Sequence, residues 1–207
     1  MEIPWMPEAH CVQCAIPLKP NECISSTTEN ILCARCLMQP PAFTHTLAAC
    51  TYDAPLERWI SSFKFHHQLH HMPLLAELWL HRCGTQAQEH RPDCIFPVPL
   101  HNRRLRWRGF NQALLLGKFI SKAIDCPLET DLCLRTQPTP TQRLLTAGKR
   151  RKNLTQAFSV QKSVNGLHIA LMDDVITTGA TGHAVAKALL EAGAKQVDLW
   201  GIARVCL

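Results

Sequence analysis

Asp173 and Asp174 stand side by side where a mostly apolar run, residues 167–172, meets Thr177-Thr178-Gly179-Ala180-Thr181. The run reads as a buried parallel strand. Residues 181–192, with Val185, Leu189 and Leu190 on one face, read as a helix that Gly193 ends. A loop that feeds a helix start presents unsatisfied backbone N–H groups and positive partial charge, which attract a phosphate. Gly179 lets the backbone approach that phosphate, and the threonine hydroxyls add donors. The two carboxylates would repel a phosphate, so they must meet another part of the ligand. Two adjacent acceptors suit a vicinal diol, which predicts a ribose on the aspartates and its 5′-phosphate in the loop. Neither G-x-x-x-x-G-K-[ST] nor G-x-G-x-x-G occurs, which excludes a P-loop and the dinucleotide fingerprint.

A second group of residues suits metal. Cys11-x2-Cys14 is followed after eighteen residues by Cys33-x2-Cys36. Four thiolates at that spacing predict a tetrahedral, zinc-ribbon-like Zn2+ site. All four positions would be occupied, so its role would be structural or that of an interaction platform, and metal binding would supply much of the segment's folding free energy. Cys23 and His10 are reserve ligands. The chain has eleven cysteines, an odd number, and five fall between Cys11 and Cys36, which favours metal in a reducing compartment over a disulfide scaffold. The N-terminus shows no basic region followed by an apolar run, and no stretch has the roughly 18 apolar residues of a membrane span, so no membrane insertion and a cytoplasmic location are expected.

The elements that must position these residues follow from pattern. Residues 1–41 form a Cys- and Pro-rich module closed by Pro40 and Pro41, and 42–207 form the main domain. In the latter, 46–53 and 93–98 predict strands, and 55–65, 72–82 and 110–123 predict helices. Residues 131–152 predict a flexible hood that carries a hairpin, and 196–203 a final strand. Strand, helix, strand at this spacing is a βαβ unit of a parallel α/β sheet.

Net charge is +6, which suits an anionic partner without identifying it. Arg103, Arg104, Arg106 and Arg108 follow the 93–98 strand in a predicted loop, with Trp107 among them. Lys149, Arg150, Arg151 and Lys152 form a second cluster, and Lys64 lies between two phenylalanines. Basic residues with an interleaved aromatic suit single-stranded nucleic acid. Histidines 66, 67, 70 and 71 have no accompanying carboxylate and read as a polar turn.

The segment LMDDVITTGATG, residues 171–182, resembles the phosphoribosyl pyrophosphate (PRPP) motif of type I phosphoribosyltransferases. The resemblance implies that Asp173 and Asp174 hold the ribose diol and that Thr177, Thr178, Gly179, Ala180 and Thr181 hold the 5′-phosphate. It also implies a parallel sheet flanked by helices, a hood over the site, and Mg2+ carried with the pyrophosphate. Arg-Gly-Phe-Asn-Gln at 108–112, the spacing of Arg135, Gln142, Arg150, Asn153 and Phe158, and the preceding four-cysteine module together resemble the ComF/GntX family over nearly the whole chain. That likeness implies a role in DNA uptake, natural transformation or use of DNA as a nutrient, with single-stranded DNA or DNA-processing proteins as partners. It also makes Lys64, Arg103, Arg104, Arg108 and Arg150 candidates for pyrophosphate or nucleic acid. Purine-type relatives carry an acidic residue where this loop has Thr177, so the loop looks closer to the orotate type and names no acceptor. Three readings stay open: a PRPP-binding DNA-handling protein, an active phosphoribosyltransferase on a base or amine, and a zinc-ribbon adaptor without ligand.

Overall fold

A computed structural model of the chain describes residues 2–19, 31–65, 70–100, 102–136 and 157–206, with the side chains of 63–65 and 102–104 outside that description. In chain order the elements are α1 (Ala34–Met38), β1 (Thr46–Thr51), α2 (Leu56–Phe65), α3 (His71–His90), β2 (Cys94–Pro97) and α4 (Asn102–Arg108). Then come α5 (Gln112–Ile124), β3 (Cys133–Arg135), β4 (Phe158–Val160), β5 (His168–Ile176), α6 (Ala180–Glu191) and β6 (Gln196–Arg204). Four strands form one sheet in the order β1-β6-β5-β2, every pair parallel, and β3 and β4 form an antiparallel ribbon.

Both faces of the sheet are covered, which is why its central strands read as nearly unbroken apolar runs. Successive residues of β5 alternate between two cores. Ala170 and Met172 pack with Leu75, Trp79 and Leu116 of α3 and α5. Ile169 and Leu171 pack with Val185 and Leu189 of α6 on the other side. The predicted α/β architecture is therefore present.

Three elements differ from their sequence reading. The helix expected at 72–82 runs to His90, because Cys83 and Ala87 continue its buried stripe with side chains too small to register as a strong apolar pattern. The expected loop at Arg103–Arg108 is the helix α4. The strand expected at 167–172 runs on to Ile176, through both aspartates. Its backbone keeps a parallel partner as far as Ile176↔Arg204, so the ladder outweighs the weak strand preference of aspartate.

The sheet edges are also occupied, which removes exposed templates for pairing. Met6 N–H donates to Ala49 O at 2.9 Å and Thr51 N–H to Pro4 O at 2.8 Å, so the N-terminal segment lies along β1. Ile95 N–H donates to Pro127 O at 2.7 Å and Glu129 N–H to Ile95 O at 2.9 Å, which covers β2. Among the described residues, no helix is long and apolar enough to cross a membrane.

Trp79 of α3 and Trp200 of β6 are fully buried with ring centroids 5.0 Å apart. Replacing Trp79 by Ala is expected to cost about 3–5 kcal/mol of unfolding free energy in a urea titration. A loss below about 1 kcal/mol would contradict its place at the centre of the larger core.

Candidate functional site

β5 leads into α6 on one face of the sheet, while β2 leads through α4 to α5 on the other. Neighbouring strands whose connections depart to opposite faces leave a crevice at their carboxyl ends. A cavity of about 220 Å3 opens there. Asp173, Asp174, Thr177, Gly179, Ala180 and Thr181 line it from β5, its loop and the start of α6. Arg108, Gln112 and Arg135 line the same space.

The backbone presets both carboxylates. Asp174 N–H donates to Asp173 Oδ1 at 2.8 Å, and Val175 N–H donates to Asp174 Oδ1 at 2.6 Å. Gly179 is left-handed (φ 74°), a conformation that glycine adopts without a Cβ penalty, and it turns the chain into α6. At Gly182 a Cβ would lie 2.8 Å from the Leu199 side chain, so its absence lets the first turn of α6 sit close on β6. The Thr178 hydroxyl accepts from Ala180 N–H at 3.3 Å, and Thr178 lines a neighbouring cavity together with Gly179 and Ala180.

The Arg-Gly-Phe-Asn-Gln stretch builds the opposite wall. Gly109 (φ 76°) ends α4, and Asn111 caps α5 by accepting from Ala113 N–H at 3.0 Å. Asn111 Nδ2 also donates to Val98 O at 3.1 Å, which ties the helix start to the end of β2. Arg108 Nη1 donates to Gln112 Oε1 at 3.0 Å. Gln112 is 1% exposed, and its Nε2 is buried without a hydrogen-bond partner among the described residues. A buried unsatisfied donor beside a polar cavity points to a ligand or water that completes it.

Of the basic candidates, Arg108 lies in the cavity. Arg103 and Arg104 lie on α4 and Lys64 on α2, with side chains outside the described residues, as is Arg150 altogether. Arg106 and Trp107 face solvent, Trp107 with 70% exposure. Sequence reasoning gave no site role to Arg135, Gln112 or Asn111, although each belongs to a quoted motif. Arg135 reaches the cavity from β3, with its guanidinium 5.5 Å from the Phe158 ring centroid.

Arg204 was missed entirely. It is a buried charge at the end of β6, and it is neutralised by carbonyl dipoles. Its Nε donates to Cys14 O at 2.8 Å, and its Nη1 donates to the carbonyls of Ile176 (3.2 Å), Thr177 and Val205 (2.6 Å). One guanidinium thus joins the cysteine module to the loop after β5. No local pattern marks this; a single arginine ending an apolar strand is the whole signal.

The sulfurs of Cys11, Cys14, Cys33 and Cys36 all lie within 4.8 Å of one another. Cys14 and Cys33 Sγ are 3.7 Å apart. A tetrahedral zinc with Zn–S near 2.3 Å has sulfurs about 3.8 Å apart, so the residues fit a metal. Hydrogen bonding from Cys14 pulls the Cys11 thiol down to about 4. The same hydrogen bond, with burial, pushes Cys14 up, and burial with the charge of Cys11 pushes Cys36 up to about 12. Among Cys11, Cys14 and Cys36 the protein alone therefore favours one thiolate, and a dication would let them ionise together. His10 Nδ1 instead contacts Pro7 O at 2.7 Å, and Cys23 lies outside the described residues. Cys50, Cys83 and Cys94 are pushed up to about 12 by burial and behave as core hydrophobes.

No family model matches the chain. Curated relatives do. It is 35% identical over 198 residues to the DNA utilization protein YhgH of Escherichia coli K12, covering 94% of this chain and 83% of the relative. It is 38% identical over 178 residues to Competence protein F of Haemophilus influenzae, covering 83% and 78%. The chain belongs to the ComF family. It also overlays on a purine phosphoribosyltransferase from Pyrococcus horikoshii at 14% identity and a TM-score of 0.41, over 63% of this chain and 83% of that one, a likeness too slight to argue from. ComF membership agrees with the motifs that first suggested it, the cysteine module and the Arg-Gly-Phe-Asn-Gln stretch.

Replacing Cys36 by Ser should lower the zinc content, counted by native mass spectrometry, by one ion per chain relative to the unaltered protein. Wild type should release that ion as pH falls, since protons compete for the thiolates. Equal zinc in both proteins would remove the cysteines as ligands.

Proposed function

We propose that this ComF-family chain binds PRPP in the crevice beyond β5 and takes part in handling DNA for uptake, natural transformation or nutrition. The observation that carries this reading is the convergence, on one cavity at a strand-order switch, of two carboxylates, a glycine-turned phosphate loop and two arginines. Asp173 and Asp174 would accept from the ribose hydroxyls. The N–H groups of Gly179 and Thr181, at the start of α6, with the hydroxyls of Thr177 and Thr178, would take the 5′-phosphate. Arg108 and Arg135 would face the pyrophosphate, with Gln112 Nε2 as a further donor. Mg2+ bound with PRPP would supply charge neutralisation on the pyrophosphate.

The four cysteines would hold structural zinc in an N-terminal module, residues 1–41. Through Cys14 O and Arg204 that module supports the carbonyl ends of Ile176 and Thr177. Contact with single-stranded DNA is assigned to α4, where exposed Trp107 stands between Arg106 and Arg108.

In calorimetry, PRPP with Mg2+ should bind wild type and fail to bind Asp174→Asn, with the variant's thermal unfolding unchanged in the absence of ligand. PRPP at ~100 times its Kd should add about 2.7 kcal/mol of stability to wild type. Equal binding by the folded variant would remove the aspartate from the site. Trp107→Ala should weaken single-stranded DNA binding by about 1–3 kcal/mol in a fluorescence anisotropy titration and leave PRPP binding untouched. No change in DNA affinity would remove α4 from that interface.

A further inference from the structure

The opposite end of the sheet holds a second cluster. Asp198 of β6 is fully buried there, at the amino-terminal end of the strand. Three histidines converge on its carboxylate from separate parts of the chain: His45 before β1, His90 at the end of α3, and His168 at the start of β5. His168 Nε2 lies 2.8 Å from Asp198 Oδ2 and His90 Nδ1 lies 3.3 Å from the same oxygen. His45 Nδ1 lies 3.5 Å from Oδ1, which also accepts from Gln196 Nε2 at 3.2 Å and from His45 N–H at 3.3 Å.

Three features distinguish this group from a hydrogen-bonded staple. First, His45 Nδ1 is buried and faces only the Asp198 carboxylate, at 3.5 Å, too long and poorly aligned for a good hydrogen bond. A coordinating ion between the two would use the ring nitrogen's lone pair. Second, the ligand atoms of His45, His90 and Asp198 all lie within 4.8 Å of one another. His90 Nδ1 lies 3.3 Å from Asp198 Oδ2 and His45 Nδ1 3.5 Å from Oδ1, so each imidazole stands one tetrahedral edge, about 3.3–3.5 Å for Zn–N and Zn–O near 2.0–2.2 Å, from a different oxygen of the same carboxylate. The 2.8 Å contact of His168 is a shorter hydrogen bond to the same oxygen as the 3.3 Å contact of His90, of the kind that orients a metal-bound carboxylate. Third, His45, His90 and His168 line a cavity of about 600 Å3 open to solvent, so a water or anion has access. Arg91 and Lys195 line the same cavity and would favour an anionic fourth ligand.

We propose that His45, His90 and Asp198 form a second metal site, oriented by His168, that binds a late first-row divalent cation such as Zn2+ and keeps a coordination position open to the cavity. The donor set, two imidazoles and one carboxylate, selects such ions over Mg2+ or Ca2+, which take mainly oxygen. The site is built by residues at the far end of the sheet from the PRPP crevice and does not depend on that reading.

The test loads full-length protein with Zn2+ alone and counts ions by native mass spectrometry, in wild type, His45→Ala and His90→Ala. The expected result is one zinc fewer per chain in each variant than in wild type, whatever the cysteines hold. His45→Ala is the sharper variant, because its ring nitrogen meets Asp198 only at 3.5 Å whereas His90 makes a 3.3 Å hydrogen bond; near-ultraviolet circular dichroism confirms the fold. Equal counts in all three proteins would overturn the proposal and leave a hydrogen-bonded staple. A loss in His90→Ala without one in His45→Ala would overturn the three-ligand set.

Discussion

The parallel ladder between β5 and β6, paired from His168↔Gln196 to Ile176↔Arg204, is the constraint on which the rest of the molecule depends. Both strands are nine residues long and almost wholly buried. Their hydrogen bonds carry the chain through two adjacent aspartates that would otherwise favour a turn. At the carboxyl end this ladder presents Asp173, Asp174 and the Thr177–Thr181 loop to the crevice. At the amino end it brings His168 to Asp198. Each end is polar, and the apolar middle is what holds the two apart.

Burial of Arg204 extends the same constraint to the N-terminal segment. An unpaired buried charge is costly, and this one is met by carbonyls from four residues in three parts of the chain. Because two of those carbonyls belong to Ile176 and Thr177, the loop that begins the crevice is braced by the same group that binds the backbone of Cys14. The cysteine module is therefore a support of the candidate site as well as an appendage.

Cavity chemistry divides along the same lines. The crevice combines carboxylates with arginines and helix-start N–H groups, so it suits a ligand with both hydroxyls and phosphates. The far cavity combines imidazoles with one carboxylate and suits a soft-to-borderline dication. The four cysteine sulfurs would by themselves complete a tetrahedral ion. The crevice and the far cavity, two chemically distinct polar groupings, follow from where the two long strands begin and end.

The sequence by itself determined the α/β class, the βαβ unit from β5 to β6, the aspartate–threonine loop and the four-cysteine set. Each of these is local: a periodicity, a turn residue at a fixed offset, or a spacing that a single ion can bridge. Only the tertiary structure decided which side chains join from a distance. Arg135 enters the crevice because β3 lies against β4, and Gln112 is buried there because Asn111 caps α5. Arg204 and the His45–His90–Asp198 group were silent in the sequence for the same physical reason. Their partners lie up to 190 residues away along the chain, as Arg204 and Cys14 do, and no periodicity or short motif records a contact made by packing.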